Sequence, residues 1–212
     1  MTRITALALL LAPSLAHAIA PDQVDEFDVD AAGWNSGGGN PNPPARAATD
    51  GPAGADDGYL LVQARGGGGA GSKLVALNTE QWAGDYAAAG IAAIEMDLRN
   101  EGDVPLTIRL SFRTAAGERL GRQGVMLPAQ GAWQHAEFVL DPADFGGAVG
   151  DVTELRILHN AQPSLRGAAV TGALGVDNVH AVAEVVVVPD AAVEPEDAGP
   201  PVDAAPPVAD AA

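Results

Sequence analysis

The sequence predicts an all-β protein, a sandwich of two antiparallel sheets with one short helix, and three observations predict it. Residues 94–112 alternate strictly, with Ile94, Met96 and Leu98 against Glu95, Asp97 and Arg99, then Leu106, Ile108, Leu110 and Phe112 against Thr107, Arg109 and Ser111. Such alternation marks strands with one buried and one wet face, and Asn100-Glu101-Gly102-Asp103 reads as the turn of an antiparallel pair. Nine short strand candidates recur along the chain at spacings typical of an all-β sandwich. Residues 19–188 amount to 170 residues without a cysteine. A chain near this size buries about 70% of its unfolded surface, so its core stands without disulfides.

The elements follow in order. Residues 26–30, Glu-Phe-Asp-Val-Asp, read as a short first strand ending at Gly33-Trp34. Residues 35–58 are dense in Gly, Pro, Asn, Ala and Asp without apolar periodicity and read as a long surface loop, a class that is usually functional or disordered. Residues 59–64 and 73–77 read as a second hairpin around the glycine-rich turn 65–72. Asn78-Thr79-Glu80-Gln81 looks like a helix start with Asn78 as N-cap, placing Trp82 and Tyr86 one turn apart before Gly90 ends it. After 94–112 come strands at 121–127 and 133–140, joined by a turn at 128–132. Ala136, Phe138 and Leu140 share one parity and Trp133 the other, so a strand start or bulge near Gln134 is needed for all to face inward. Strands at 152–158 and 174–182 complete the set.

The ends and the charge restrict the partners. The formal net charge is -17 and the pI near 4.3, a field that repels nucleic acid and anionic membranes and suits divalent cations. Residues 1–18 carry the three parts of a secretory signal: Arg3, an apolar run from Ile4 to Ala12, and Ala16-His17-Ala18 after Pro13. The run is shorter than the roughly 20 residues a permanent span needs, so cleavage after Ala18 and a secreted, extracellular or periplasmic protein are expected. Residues 189–212 contain only Ala, Pro, Asp, Val, Glu and Gly, with six acids and no base. Such a segment cannot offset its ordering entropy, and a disordered spacer reaching roughly 70 Å is expected.

Several runs together resemble secreted bacterial β-sandwich domains related to laminin IV (laminin B) and to galactose-binding-like carbohydrate-binding modules. They include 27–34, Asn40-Pro41-Asn42-Pro43-Pro44, Gly51-Pro52-Ala53-Gly54, Tyr59-Leu60-Leu61-Val62, 66–77, Trp82-Ala83-Gly84-Asp85-Tyr86, Met96-Asp97-Leu98-Arg99-Asn100, Thr153-Glu154-Leu155-Arg156 and Gly175-Val176-Asp177-Asn178-Val179. The resemblance implies a jelly roll of face-packed antiparallel sheets, extracellular placement and often a structural calcium. The tail resembles the acidic Pro/Ala linkers of exported myxobacterial-type proteins, without the sorting helix that commonly follows them.

Asp177 is the leading candidate for an ion ligand. Leu174 and Val176 differ in parity from Val179, so an irregularity at Asp177-Asn178 is needed and re-aims a carboxylate. Glu26 or Asp28 on the first strand and Asp56 and Asp57 entering the next would complete a Ca2+ site of six to eight oxygens. An EF-hand from Asp28 is rejected because Ala32 and Gly39 stand where two ligands are required. In Gly66-Gly67-Gly68-Gly69-Ala70-Gly71-Ser72-Lys73 the Ser precedes the Lys and a strand follows, so it is a turn and no phosphate loop. His135, His159 and His180 lack close-spaced partners, and no Gly-x-Ser-x-Gly elbow occurs. Glu95, Asp97, Glu137 and Glu154 lie on strands, but carboxylate pairs are expected by chance in so acidic a chain, and a noncatalytic module is the expectation. Carbohydrate recognition asks for exposed aromatic rings beside polar groups. The wet face of 94–112 has none, which leaves Trp34, Trp82 and Tyr86 near loops as ligand candidates, against a competing reading in which they and Trp133 pack inward. The expected function is binding of an extracellular polysaccharide or envelope component; the alternative is a structural or adhesive envelope protein without a small ligand.

Overall fold

The computed structural model describes residues 19–183, so the signal and tail expectations, on 1–18 and 189–212, lie outside the described residues. Eleven strands and one short helix follow in order: β1 (Val24–Asp25), β2 (Ala45–Ala47), β3 (Tyr59–Arg65), β4 (Val75–Asn78), β5 (Ile91–Asn100), β6 (Leu106–Thr114), β7 (Gly117–Leu120), β8 (Val125–Leu127), β9 (Gln134–Val139), α1 (Pro142–Phe145), β10 (Val152–His159) and β11 (Thr171–Ala183). They form the expected jelly-roll sandwich. One antiparallel sheet has six strands in the order β2-β3-β11-β5-β9, with β1 also on β11. The other has five in the order β4-β10-β6-β7, with β8 also on β6.

Both expected hairpins are instead arches between the sheets. β5 lies in the first sheet and β6 in the second, as do β3 and β4 respectively. Alternation fixes which face of a strand is buried but not which strand it pairs with. At the first arch, Asn100 settles the matter by donating to the carbonyls of Val104 (2.8 Å) and Leu127 (3.4 Å) and accepting from the Gly102 N–H (2.9 Å). The apolar sets Ile94, Met96, Leu98 and Leu106, Ile108, Leu110, Phe112 consequently oppose one another in the core, each at 0 or 1% exposure. Full burial of such side chains stabilises by about 1.5–3 kcal/mol each.

Other local expectations also change. The first strand is only Val24–Asp25, because Phe27 adopts a left-handed φ of 54° that ends the pairing. The long loop holds a short strand, β2, on β3. Of the strand expected at 121–127 only 125–127 forms, as β8, and β7 lies before the expected span. No helix forms at 78–90. Asn78 caps two turns there, accepting from Glu80 N (2.8 Å) and Trp82 N (3.4 Å), but Gly84 bridges to Val152 at φ 139°. The helix is α1, capped by Asp141 and ended by left-handed Gly146. The irregularity expected at Asp177-Asn178 is present: the β11–β5 register shifts between Asp177 and His180, with Asn178 at φ 49°.

The outer face of the five-stranded sheet is covered. Residues 160–165 lie across it, held by Arg109, which donates to the carbonyls of Asn160 and Ala161 at 2.9 Å each and to that of Arg122. Ser111 donates to Ser164 O (2.7 Å) and Arg156 to Leu165 O (2.7 Å). Arg109 is 8% exposed and Ser111 fully buried.

Candidate functional site on the six-stranded sheet

The aromatic residues that the sequence offers as ligand contacts are internal. Trp34, Trp82 and Tyr86 are 3%, 0% and 0% exposed. The indole N–H groups of Trp34 and Trp82 donate to one oxygen of Asp25, Oδ2, at 2.7 and 2.6 Å, and Gln81 adds a third bond at 3.1 Å. Tyr86 donates to Trp82 O (3.0 Å) and packs edge-on against Phe112. These rings close one end of the core around a buried carboxylate and present no face to a sugar.

The outer face of the six-stranded sheet holds the aromatic pair that alternation missed. β9 begins at Gln134, so Ala136 and Phe138 point inward while half-buried Trp133, just before the strand, lies on the outer side against Gly175 of β11. Tyr59, of opposite parity to Leu60, Val62 and Ala64, meets Trp133 edge-on with ring centroids 5.3 Å apart. Arg99 lies over both rings, 4.7 Å from the Trp133 centroid and 5.0 Å from that of Tyr59, and pairs with Glu101 at 2.6 Å. Burial and then the Glu101 carboxylate push the Tyr59 phenol above its usual value, so it remains a neutral hydroxyl. Residues 48–58 cross this face. The Asp50 carbonyl, at a left-handed φ of 70°, accepts from both Trp133 Nε1 (3.0 Å) and Arg99 Nη1 (2.9 Å). Opposite parity at Tyr59 and Trp133 was the sequence signal for this cluster. The expectation that Trp133 packs inward is thereby corrected: its ring lies half-buried on the outer face, against Gly175.

On either side of the cluster the face is polar. Toward the glycine-rich turn, a shallow groove of about 360 Å³ is floored by Gly172 and Ala173 and edged by Asn42, Gln63, Arg65, Asp103 and Thr171. Toward the other end run imidazoles and carboxylates. His135 Nδ1 is 3.2 Å from Asp97, and Glu95 Oε2 stands 3.8 Å from His135 Nε2 and 3.7 Å from His180 Nδ1.

Asp177 sits in this row, directly across from Asp97 in the β11–β5 ladder. It is 1% exposed; Oδ1 accepts from the Asn178 N–H (2.8 Å) and Oδ2 has no partner. Burial pushes its carboxyl up to about 7, the Asn178 N–H opposes this, and the charges of Asp57, Asp97 and Asp28 add to it. Of the expected ion ligands, Asp177 is buried and Asp57 half-buried, whereas Glu26, Asp28 and Asp56 are exposed; Asp57 and Asp28 bear on Asp177 through their charge. Phe27's left-handed turn removes the strand that was to carry Glu26 inward. Among the described residues, no three His, Asp or Glu side chains form a ready metal cage.

No family model matches the chain, and no curated protein matches it. Solved structures do. An exo-β-agarase shares 14% identity over 76% of this chain and 25% of its own, with a TM-score of 0.50. A family 43 arabinoxylan arabinofuranohydrolase from Bacillus subtilis, in complex with cellotetraose, shares 14% over 79% of this chain and 28% of its own, at 0.47. A family 11 carbohydrate-binding module from Clostridium thermocellum, in complex with a β-1,3-1,4-mixed-linked tetrasaccharide, shares 13% over 78% of this chain and 97% of its own, at 0.48. The chain thus spans about a quarter of the length of the two enzymes. The likeness to the agarase is one of fold, the β-sandwich described above.

Proposed function

We propose that this chain is an exported, noncatalytic β-sandwich module that binds a neutral glycan on the outer face of its six-stranded sheet. The observation that carries the reading is the half-buried ring of Trp133, backed edge-on by buried Tyr59, beside a groove edged by amide, hydroxyl, guanidinium and carboxylate groups. Apolar ring surface with a few placed polar groups is what small-ligand sites require. The acidic balance disfavours polyanionic glycans. Asp177, the carboxyl with the displaced proton affinity, is buried and out of reach of a glycosidic bond, which supports a binding role over hydrolysis. In this reading residues 1–18 direct export, 19–188 form the domain and 189–212 act as an acidic spacer.

The structural or adhesive alternative draws on the burial of Trp34 and Trp82. Trp133 separates the two. Trp133→Ala is expected to lower affinity for a bound soluble polysaccharide at least tenfold, about 1.4 kcal/mol, while Trp82→Phe leaves it unchanged in protein that remains folded. Calorimetry against a panel of neutral polysaccharides makes the test, and binding indifferent to Trp133 refutes the proposed site.

A further inference from the structure

We propose that a zinc ion binds on the outer face of the six-stranded sheet, between Glu95 on β5, His135 on β9 and His180 on β11. Neither histidine has a partner at metal-ligand spacing along the chain, and the pairing of the strands supplies one. His180 stands directly across from Glu95 in the β11–β5 ladder. His135 stands across from Asp97, two residues along β5 and on the same face as Glu95. Glu95 Oε2 is 3.8 Å from His135 Nε2 and 3.7 Å from His180 Nδ1. Both gaps are too long for hydrogen bonds, so two imidazoles converge on one oxygen without bonding to it.

The break in β11 is what brings His180 there. Leu174 and Val176 point into the core, so on a regular strand His180, of the same parity, would point inward as well. The extra residue Asn178, at a left-handed φ of 49°, reverses the alternation: Val179 and Ala181 are buried and His180 faces outward. Bulges of this kind re-aim side chains at functional sites, and their backbone strain is kept where it serves one. Asn178 also donates to Asp97 Oδ2 at 2.8 Å, while Asp97 Oδ1 stands 3.2 Å from His135 Nδ1. A carboxylate on one ring nitrogen fixes the imidazole and turns the other nitrogen toward a metal. His180 repeats the pattern more loosely, with Nε2 3.8 Å from Asp22 Oδ1. One bulge residue thus places one ligand and, through Asp97, orients the other.

The donor set selects the ion. Two imidazole nitrogens and one carboxylate oxygen suit zinc, whereas calcium takes six to eight oxygens. Copper binds such donors more tightly but prefers a tetragonal plane, and these three rise from neighbouring strands to one side of the ion. Around a tetrahedral zinc, donors about 2.1 Å from the metal stand about 3.4 Å from one another. The gaps at Glu95 are a few tenths of an ångström wider, so the three form no ready cage. His135 is exposed and Glu95 and His180 are half-buried, which leaves them free to close by small rotations. Three protein ligands leave a fourth position for water or for a donor atom of a partner. The site shares no residue with the expected calcium ligands and does not rest on the glycan reading.

The test uses the whole untagged chain, stripped with chelator and dialysed against zinc alone. One zinc per chain is expected, and zinc at about a hundred times its dissociation constant should raise the thermal midpoint by about 5–11 °C. Cobalt in its place should show the intense visible bands of a four-coordinate ion, and excess calcium should not bleach them. His135→Gln, His180→Gln and Glu95→Gln should each weaken zinc binding at least tenfold while melting like the parent in chelator. Asp97→Asn, at a positioning residue, should weaken it about 10–100-fold with the cobalt bands still four-coordinate. His159→Asn, on the other sheet, should leave zinc affinity unchanged. Failure to retain zinc, cobalt bands bleached by calcium, or zinc binding that survives both His135→Gln and His180→Gln overturns the site.

Discussion

Replacing Asp25 by alanine tests whether the buried end of the core is organised by a single carboxylate. Asp25 is 8% exposed, and its Oδ2 accepts from Trp34 Nε1, Trp82 Nε1 and Gln81 Nε2 at 2.7, 2.6 and 3.1 Å. Alanine leaves two indole N–H groups without an acceptor in sites 3% and 0% exposed. Each orphaned buried donor costs about 1–3 kcal/mol, so the expected loss is about 4 kcal/mol, with Gln81 adding little because it also bonds Ala32 O. That is a large share of the roughly 5–15 kcal/mol of an ordinary domain. It corresponds to a midpoint lowered by about 8–16 °C at this size. Asp25→Asn keeps an acceptor but loses the charge that strengthens these bonds, and should cost about half as much. Urea unfolding followed by tryptophan emission measures both, since two of the three indoles sit at the perturbed site. The change should appear in the transition midpoint with the slope unaltered. An Asp25→Ala protein within about 1 kcal/mol of the parent would falsify the argument, because it would mean that the indoles find other partners.

Two further substitutions probe the sheet face and the acid response. A Cβ at Gly175 would stand 2.7 Å from Trp133 Cη2 and 3.3 Å from Tyr59 Cδ2, so Gly175→Ala should displace the half-buried Trp133 ring. Glycan affinity should fall while stability changes by about 1 kcal/mol or less, and a parent-like affinity would show that the ring's placement does not matter. His159 is held below the usual 6.5 of imidazole by burial, and its Nδ1 accepts from the Thr107 N–H at 2.9 Å. The unfolded chain therefore takes up the proton first: this contribution is complete above about pH 6.5 and is lost as the pH falls from there toward the lower folded value. His159→Asn keeps an acceptor without the titration, and should flatten the fall in thermal midpoint between pH 7 and about 5; an unchanged slope would exonerate His159.

The sandwich could be read because alternation reports burial directly, and the parity break at Asp177 could be read because Leu174, Val176 and Val179 cannot all be buried on a regular strand. Strand partners were not legible. Asn100-Glu101-Gly102-Asp103 suits a hairpin turn, and Asn100's bonds to Leu127 and Val104 are what show that the segment spans the two sheets. The same limit hid the site. With 94–112 taken as one hairpin, Arg109 and Ser111 appear to share a wet face with Asp97 and Arg99, whereas the two pairs lie on opposite sides of the molecule. The helix at 78–90 failed because the Asn78 cap serves isolated turns, while Trp82 is drawn to Asp25, 57 residues away. No local pattern reports a bond of that span.

The unequal treatment of the two outer faces bears on function more than any single residue. On the five-stranded side, a guanidinium is buried to hold two carbonyls of the covering segment and that of Arg122, at the cost of taking a cation almost wholly from water. That is cover built to last. On the six-stranded side, the crossing at 48–58 is joined to the sheet through half-buried Trp133 and Arg99. Segments held by few buried contacts are the ones that open first, and binding surfaces are drawn from them. If the face were merely structural, the Arg109 arrangement shows that this fold can seal a sheet. A face left with the half-buried ring of Trp133 and a shallow polar groove is better explained by a ligand that has to reach it.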